Sequence, residues 1–286
     1  MTWLLLQICR WLAHLPYPVL RQIGNAAGSI LWVAAKRRRH ITLTNLRLCF
    51  PDQNQEAREA LGKAHFQAYA RSFFDRFIVW YQSANAIKQL VKIEGLNNFE
   101  PYRGKPVILL APHFVGIDAG GIRFQIESSF AAMYGKQNNP ALNAVMTQGR
   151  SRFNNARMLL RNDGIRPAVR VIKEGIPFYF LPDMDLGARD AVFAPFFGIP
   201  AATVTSVARL AKATGAVVIP IVTQMTSAGY IARIMPAWLD YPLDDNDAAA
   251  RYMNAFIETQ VATMPEQYLW SHRRFKTRPS GQASFY

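Results

Sequence analysis

From about residue 105 onward, apolar runs of strand length alternate with amphipathic helical stretches. This alternation is typical of βαβ units, in which helices cover the faces of a mainly parallel sheet. The predicted strands cover residues 106–111, 130–134, 176–181, 216–222 and 231–235. The sequence therefore predicts an α/β fold with a mainly parallel central sheet flanked by helices.

Between and around these strands, apolar residues recur at helical spacing. Gly175 and Gly215 stand at predicted helix ends, where glycine adopts a left-handed backbone at little cost. Thr203 is the predicted N-cap of the helix that ends before Gly215. The predicted helices cover residues 53–91, 140–160, 166–174, 203–214 and 246–262.

The N-terminal part combines an apolar stretch with a basic cluster. The first 35 residues are rich in leucine and tryptophan, but two arginines interrupt them before the run of about 18 uncharged residues that a spanning helix needs. Residues 36–39 are Lys-Arg-Arg-Arg, a composition that binds anionic headgroups on the cytoplasmic side. We expect a membrane-associated helical segment over 1–40, lying in or barely crossing the inner leaflet, and a second domain over 41–286. A helical hairpin packed on that domain is the alternative.

The charge of the chain is strongly basic, with 33 Lys and Arg against 19 Asp and Glu and a formal net charge of +14. Such a surface attracts nucleic acid, acidic lipid headgroups or an acidic protein. Zinc-finger spacings, Gly-x-x-Gly clamps and aromatic-glycine strand motifs are absent from the sequence, which disfavours a nucleic-acid-binding protein. A metal-dependent hydrolase would need a second histidine near His113, and the two cysteines lack partners for a zinc site. We expect no metal and no cofactor.

One predicted strand leads directly to a candidate general base. The apolar residues 107–111 run through Pro112 to His113, and Asp118 follows where a helix could begin. Sites in open α/β sheets form beyond the carboxyl ends of strands. Gly116 could let the chain fold back and bring the Asp118 carboxylate to the imidazole, which would leave the other ring nitrogen to accept a proton. The alternative is that Asp118 caps the helix and His113 binds a local backbone group.

Residues 113–118 resemble the His-x4-Asp/Glu signature of glycerolipid and lipid A acyltransferases, and many members carry Glu where this chain has Asp118. Further segments resemble the late acyltransferases of lipid A biosynthesis, the lauroyl and myristoyl transferases of Gram-negative bacteria. Together they cover the chain almost from end to end, in the family's order. These segments are residues 36–39, 45–51, 149–153, 181–185, 196–198 and 268–279.

The resemblance implies a membrane acyltransferase of lipopolysaccharide biosynthesis on the cytoplasmic face of the inner membrane, with a glycerolipid-acyltransferase-like domain over 41–286. His113 would deprotonate a hydroxyl of a 3-hydroxyacyl chain on a lipid A precursor, and Asp118 would orient His113. The alkoxide would then attack the thioester of an acyl carrier protein without a covalent acyl-enzyme. The implied partners are the acyl carrier protein, the lipid A precursor and the anionic membrane, with no nucleic acid. A glycerophospholipid or lysophospholipid acceptor is the alternative.

Four residues are candidate substrate-binding residues, and two of them, Arg150 and Asp183, match positions that the family uses near the site. Arg150 could neutralise a lipid phosphate or the charge on the thioester oxygen, and an exposed surface arginine is the alternative. Asp183 follows a predicted strand and could hold Arg150 or another cation, or could simply form a turn. Arg273 and Arg274 lie in the aromatic and basic stretch 270–276, which suits a lipid phosphate and equally an exposed basic tail.

Overall fold

The computed structural model describes the backbone of residues 2–242 and 244–286 and the side chains of residues 7–242 and 244–286. The strands in this part of the chain are β1 (Val91–Glu94), β2 (Val107–Leu110), β3 (Ala131–Tyr134), β4 (Arg157–Leu160), β5 (Phe178–Phe180), β6 (Ala191–Phe196), β7 (Ile199–Val204), β8 (Val217–Met225) and β9 (Tyr230–Ile234). Seven of them form one sheet in the order β1-β9-β8-β2-β5-β3-β4. All of its pairs are parallel except β8 with β9. The sheet confirms the predicted α/β class.

Alternate side chains of β2 supply the cores on the two faces of the sheet, as the two-residue period of a strand requires. Ile108 and Leu110 belong to a cluster with apolar residues of the helices that precede β5, precede β8 and follow β9. Val107 and Leu109 pack in a second cluster that includes Phe124, on the opposite face. All four side chains are fully buried. Strand β2 is therefore central, and its carboxyl end opens onto the middle of the sheet edge.

The helices agree with most of the predicted ones. Gly175 and Gly215 both have a positive φ and follow helix ends, as expected. The helices are α1 (Thr2–Leu12), α2 (Tyr17–Ala34), α3 (Lys36–Cys49), α4 (Gln55–Tyr81), α5 (Ala84–Leu90), α6 (Ile117–Glu127), α7 (Pro140–Arg150), α8 (Arg166–Lys173), α9 (Ser206–Thr214) and α10 (Asn246–Thr263).

The prediction of one helix over residues 140–160 is wrong in its second half. Helix α7 ends at Arg150, and residues 157–160 form the edge strand β4. Asn154 and Asn155 adopt left-handed backbones, which break the helix. Gln125 holds the turn, because its side-chain oxygen accepts from the Phe153 N–H at 2.9 Å and its carbonyl accepts from Asn154 Nδ2 at 2.8 Å.

The predicted N-cap at Thr203 is also wrong, because Thr203 lies inside β7 and α9 begins at Ser206. Strands β6 and β7 form a separate antiparallel hairpin that pairs residues 191–196 with residues 199–204. The hairpin was not among the predicted elements, since it is short, apolar and interrupted by prolines. Asn254 of α10 donates to the Pro195 carbonyl at 2.9 Å, so the hairpin packs against the last long helix.

The N-terminal helices are packed against the rest of the fold. Gly24 and Gly28 of α2 are buried, and a Cβ at these positions would lie 2.7 Å from the Arg71 Cα and 2.4 Å from the Gln67 Cα of α4. The predicted boundary at residue 40 falls within α3. Within residues 2–242 and 244–286, helices that join the length and the apolarity needed to cross a bilayer are absent. The predicted membrane association stays a prediction.

Candidate active site

Two neighbouring parallel strands deliver the central pair of side chains. Strand β2 ends at Leu110 and β5 ends at Phe180, and these two residues are aligned in the sheet. His113 and Asp183 each lie three residues beyond these ends. The Nδ1 of His113 lies 2.7 Å from Oδ1 of Asp183, and the backbone N–H of His113 donates to both carboxylate oxygens at 3.0 and 3.2 Å.

These contacts define the protonation of the pair. Burial alone would raise the pKa of Asp183, but attraction to His113 and the hydrogen bonds from it outweigh burial and lower that pKa below its usual value. An ionised carboxylate only accepts hydrogen bonds, so the Nδ1 atom of His113 must carry the proton that it donates. The Nε2 atom is then left as the basic nitrogen, and the side chain is 18% exposed. His113 is therefore held in the tautomer that a general base requires.

The expected contact between Asp118 and His113 is not formed in the described structure. Asp118 lies in the first turn of α6 and accepts hydrogen bonds from Nε and Nη2 of Arg150 at 2.9 and 3.2 Å. Oδ2 of Asp118 also forms an ion pair with Nε of Arg76 at 2.6 Å, in which the N–H is not directed at the oxygen. The expectation that Asp183 holds Arg150 is also wrong, because Arg150 pairs with Asp118 and Asp183 contacts His113.

The Asp118 cluster, formed by Asp118, Arg76 and Arg150, has a surplus of positive charge. Burial alone would raise the pKa of Asp118, but the two guanidinium groups lower it to about 2. The same attraction raises the pKa of Arg150. Two permanent cations therefore share one carboxylate, and the cluster retains one net positive charge at neutral pH. This arrangement suits an anionic group of a substrate.

His113 and the Asp118 cluster line a cavity of about 340 Å³, which we call the reaction cavity. Its volume lies within the range of small-molecule sites, roughly 300–1,000 Å³. Residues on or beside α6, β3, β4 and β5 also line the cavity. Its apolar side chains include Ile122, Phe130, Met133, Met158 and Leu181. The cavity thus joins a base, a cationic group and a hydrocarbon-lined wall.

Comparison with known proteins identifies the family. The family described as bacterial lipid A biosynthesis acyltransferase matches residues 1–277. The chain belongs to this family. A lipid A biosynthesis palmitoleoyltransferase of Escherichia coli K12 is 35% identical over 291 residues, which cover 100% of this chain and 94% of the relative. A lipid A biosynthesis lauroyltransferase of the same strain is 31% identical over equal shares. The protein is therefore an acyltransferase of lipid A biosynthesis.

A solved structure is also similar to this acyltransferase. It is the 1-acyl-sn-glycerophosphate acyltransferase of Thermotoga maritima, with a TM-score of 0.42 and 14% identity. The match covers 80% of this chain and 97% of that one.

Arg273 and Arg274 of the acyltransferase, which were both expected to bind a lipid phosphate, lie in two different environments. Arg274 is 2% exposed and donates to the Ala202 carbonyl at 2.8 Å and to Thr203 Oγ1 at 3.1 Å. Its guanidinium stacks over the Phe196 ring at 5.1 Å. These contacts fix the C-terminal segment on the β6–β7 hairpin and contradict the predicted phosphate-binding role. Arg273 is half-buried over the Tyr286 ring and is not part of the reaction-cavity wall, so its role stays a prediction.

Sequence reasoning missed Arg76 and Tyr179. Arg76 is the one cation in the aromatic stretch 73–80, and a cation among aromatic side chains was the available signal. Tyr179 lines the reaction cavity and its hydroxyl donates to the Ile117 carbonyl at 3.2 Å, which holds the start of α6. Gly120 seats the same helix on β8, because a Cβ there would lie 1.8 Å from Thr223 Oγ1.

Proposed function

We propose that this enzyme transfers the acyl group of an acyl carrier protein thioester to the hydroxyl of a 3-hydroxyacyl chain on a lipid A precursor. His113 is the general base, and Asp183 orients it. The observation that carries the proposal is the 2.7 Å contact between His113 Nδ1 and Asp183 Oδ1, with His113 in the wall of a cavity that also has apolar side chains. General-base help of this kind is worth about 10² to 10⁴ in rate.

The chemical step follows from the tautomer of His113. Its Nε2 takes the proton of the acceptor hydroxyl, and the oxygen attacks the thioester carbonyl. The tetrahedral intermediate then expels the thiolate, which receives the proton from Nε2 and leaves as the free thiol of the carrier. Asp183 stabilises the imidazolium that exists between these two proton transfers. One C–O bond forms, one C–S bond breaks, and the base returns to its starting state.

Asp118 has a separate role in this proposal. Its two oxygens hold the guanidinium groups of Arg76 and Arg150 at the wall of the reaction cavity. The net positive charge would bind a phosphate of the substrate. Asp118 is thus a positioning residue, and the arginines provide the electrostatic contacts.

The surface of the N-terminal helices supports membrane association at the cytoplasmic face of the inner membrane. Trp11, Ile30 and Val33 are 77%, 67% and 65% exposed, which is unusual for large apolar side chains. The exposed residues Lys36 and Arg37 follow at the start of α3. Apolar side chains beside cations suit an interface of acyl chains and anionic headgroups. The formal charge of +14 also suits an acidic carrier protein as donor.

The test is a mass analysis of lipid products. Purified enzyme is incubated with a tetra-acylated lipid A precursor and a set of acyl carrier protein thioesters, beside the His113→Ala variant. We expect the gain of one acyl mass, which also identifies the chain length, and its loss in the variant. Retained transfer by folded His113→Ala protein would overturn the mechanism. Acylation of a lysophospholipid, with no gain on the lipid A precursor, would overturn the acceptor.

A further inference from the structure

A second cavity of about 380 Å³, which we call the α2–α4 cavity, lies between the N-terminal helices and the C-terminal segment. Its volume is within the range of small-molecule sites, roughly 300–1,000 Å³. Among the residues that the structure describes, the two cavities have no wall residue in common. Its apolar wall is formed by Leu31, Ala35, Phe66, Tyr69, Met184 and Leu269.

The α2–α4 cavity borders the backbone that carries the catalytic pair. Leu269 lines it, and the Leu269 N–H donates to the carbonyl of His113 at 3.0 Å. Met184, another wall residue, directly follows Asp183. The side chain of His113 lines the reaction cavity. Two residues that line the α2–α4 cavity are connected to the same pair, Leu269 by a hydrogen bond to His113 and Met184 by its peptide bond to Asp183. A ligand with two chains could therefore use both cavities at once.

The mouth of the α2–α4 cavity lies on the surface that we assign to the membrane. Leu31 and Tyr69 line the cavity and are also 40% and 38% exposed. Arg38 belongs to the same wall, is exposed, and donates to the Ser271 carbonyl at 3.0 Å. The cavity thus opens between large apolar side chains and a guanidinium, which complements an amphiphile with an anionic head and a hydrocarbon tail.

The two histidines in the wall of the α2–α4 cavity carry no charge at neutral pH. His65 is fully buried, and its Nδ1 lies 3.2 Å from the Glu266 carbonyl. Nε2 of His272 accepts from the Asp185 N–H at 3.0 Å. Burial lowers the pKa of each histidine to about 4, so both imidazoles are neutral. Among the described wall residues, charge is therefore confined to Arg38, and the cavity can accept hydrocarbon without burying an ion beside it.

We propose that the α2–α4 cavity holds one non-reacting acyl chain of the acceptor lipid, with an anionic group of that lipid against Arg38. The inference rests on the proposed function, since an acceptor with several acyl chains presents only one hydroxyl to His113. Its remaining chains must stay out of water, and the α2–α4 cavity offers an apolar space beside the same catalytic segment. The site would thus select for acceptors that carry more than one chain.

The first experiment measures binding without turnover. Trp32 packs on the cavity wall, since its ring centroid lies 5.3 Å from that of Phe66. A lipid A precursor brominated on its acyl chains should quench this tryptophan, and the part of the quenching that is lost in Trp32→Phe reports the cavity. Ala35→Leu places a larger side chain in the cavity, so the same quenching should require roughly tenfold or more lipid. Ala34→Leu, on the neighbouring exposed residue, should not weaken it.

The second experiment measures acceptor selection. In Ala35→Leu, the KM for the multi-chain acceptor should rise roughly tenfold, while kcat and the KM for the acyl donor stay within about twofold. Leu31→Trp provides a second filling variant, with Ala26→Trp on the exposed face of the same helix as its control. An acceptor that lacks the non-reacting chain should show no difference between the variants and the parent enzyme.

Three results would overturn the inference. Quenching of Trp32 could persist unchanged in Ala35→Leu, or the control variant Ala34→Leu could lose it equally. Alternatively, a brominated acyl carrier protein thioester could quench Trp32 in place of the brominated acceptor, which would assign the cavity to the donor chain. Failure of the parent enzyme to acylate any lipid A precursor would instead overturn the proposed function, and the binding experiment does not depend on that outcome.

Discussion

The Nδ1 atom of His113 lies 2.7 Å from Oδ1 of Asp183, a residue 70 positions further along the chain, and the neighbouring Asp118 instead binds two arginines. Each carboxylate therefore has its own task. Asp183 determines the tautomer of His113, and Asp118 determines the positions of two cations. Substitutions at the two positions should differ in kind as well as in size.

Asp183→Asn should lower kcat by about 10² to 10⁴, because an amide can donate to Nδ1 and so allow the wrong tautomer. The KM for the acceptor should change little, since Asp183 does not contact the substrate in the proposed mechanism. Asp118→Asn should mainly raise the KM for the substrate that carries the phosphate. Steady-state kinetics of both variants would check this, and equal kcat losses with unchanged KM in both would contradict the division of roles.

Asp118 should also contribute to stability in a pH-dependent manner. Its pKa is lowered to about 2 in the folded protein from an ordinary value of 3.8. A depressed carboxyl pKa stabilises the fold above the unfolded value, and this contribution, on the order of 2 kcal/mol, is lost as the pH falls from about 4 to 2. Urea unfolding of the parent and of Asp118→Asn between pH 2 and 6 should show curves that converge at the acid end. A difference in stability between the two proteins that stays constant with pH would mean that Asp118 is not the source of the pH dependence.

Tyr230 and Asp75 form a buried contact that should have the opposite pH dependence. The Tyr230 hydroxyl donates to Asp75 Oδ2 at 2.5 Å, and burial raises the pKa of Asp75 to about 6. A raised carboxyl pKa means that the folded state binds an extra proton between about pH 4 and 6, so this contribution to stability falls as the pH rises through that window. In Asp75→Asn, this fall in stability between about pH 4 and 6 should disappear, which unfolding measurements over that range would check.

Removing the hydroxyl alone tests the same contact. Tyr230→Phe leaves a buried carboxylate with one donor fewer and should lower the free energy of unfolding by about 1–3 kcal/mol at pH 7. Thermal or chemical unfolding would measure this loss, and a change below about 0.5 kcal/mol would mean that another group replaces the hydroxyl.

Gly28 should be required for the seating of α2 on α4. A Cβ at Gly28 would lie 2.4 Å from the Gln67 Cα, so the two helices must move apart to accept one. Gly28→Ala should therefore destabilise the protein by about 1–3 kcal/mol and expose the helix contact to proteolysis. Ala26→Leu, on an exposed position of α2, is the control and should change stability little. Equal stability of the two variants would contradict the close packing.

The dependence on the donor should be sensitive to salt. The chain carries a formal charge of +14, and attraction between a basic surface and an acidic carrier protein is screened over about 8–10 Å near physiological ionic strength. The KM for the acyl carrier protein thioester should rise between roughly 50 and 300 mM salt, because screening of this attraction increases over that range. The KM for an uncharged small acyl thioester should not. Equal salt effects on both donors would assign the basic surface to another partner.

The amino-acid sequence by itself determined the class of fold and the place of His113 in it. Strand-length apolar runs and helical spacing are local properties, so β2, β3, β5, β8 and β9 were predicted within a few residues. His113 was placed beyond a strand end for the same reason. The turn at Asn154 and Asn155 and the β6–β7 hairpin escaped prediction, because short irregular segments carry weak periodic signals.

Only the tertiary structure decided which carboxylate faces His113. Asp118 is five residues away in the sequence, but α6 directs it towards Arg76 on α4 and Arg150 at the end of α7. Asp183 reaches His113 because β5 pairs with β2 in a register that aligns Phe180 with Leu110. Strand order and register are non-local, since they depend on the packing of the whole sheet. Proximity along the chain therefore paired His113 with the wrong carboxylate.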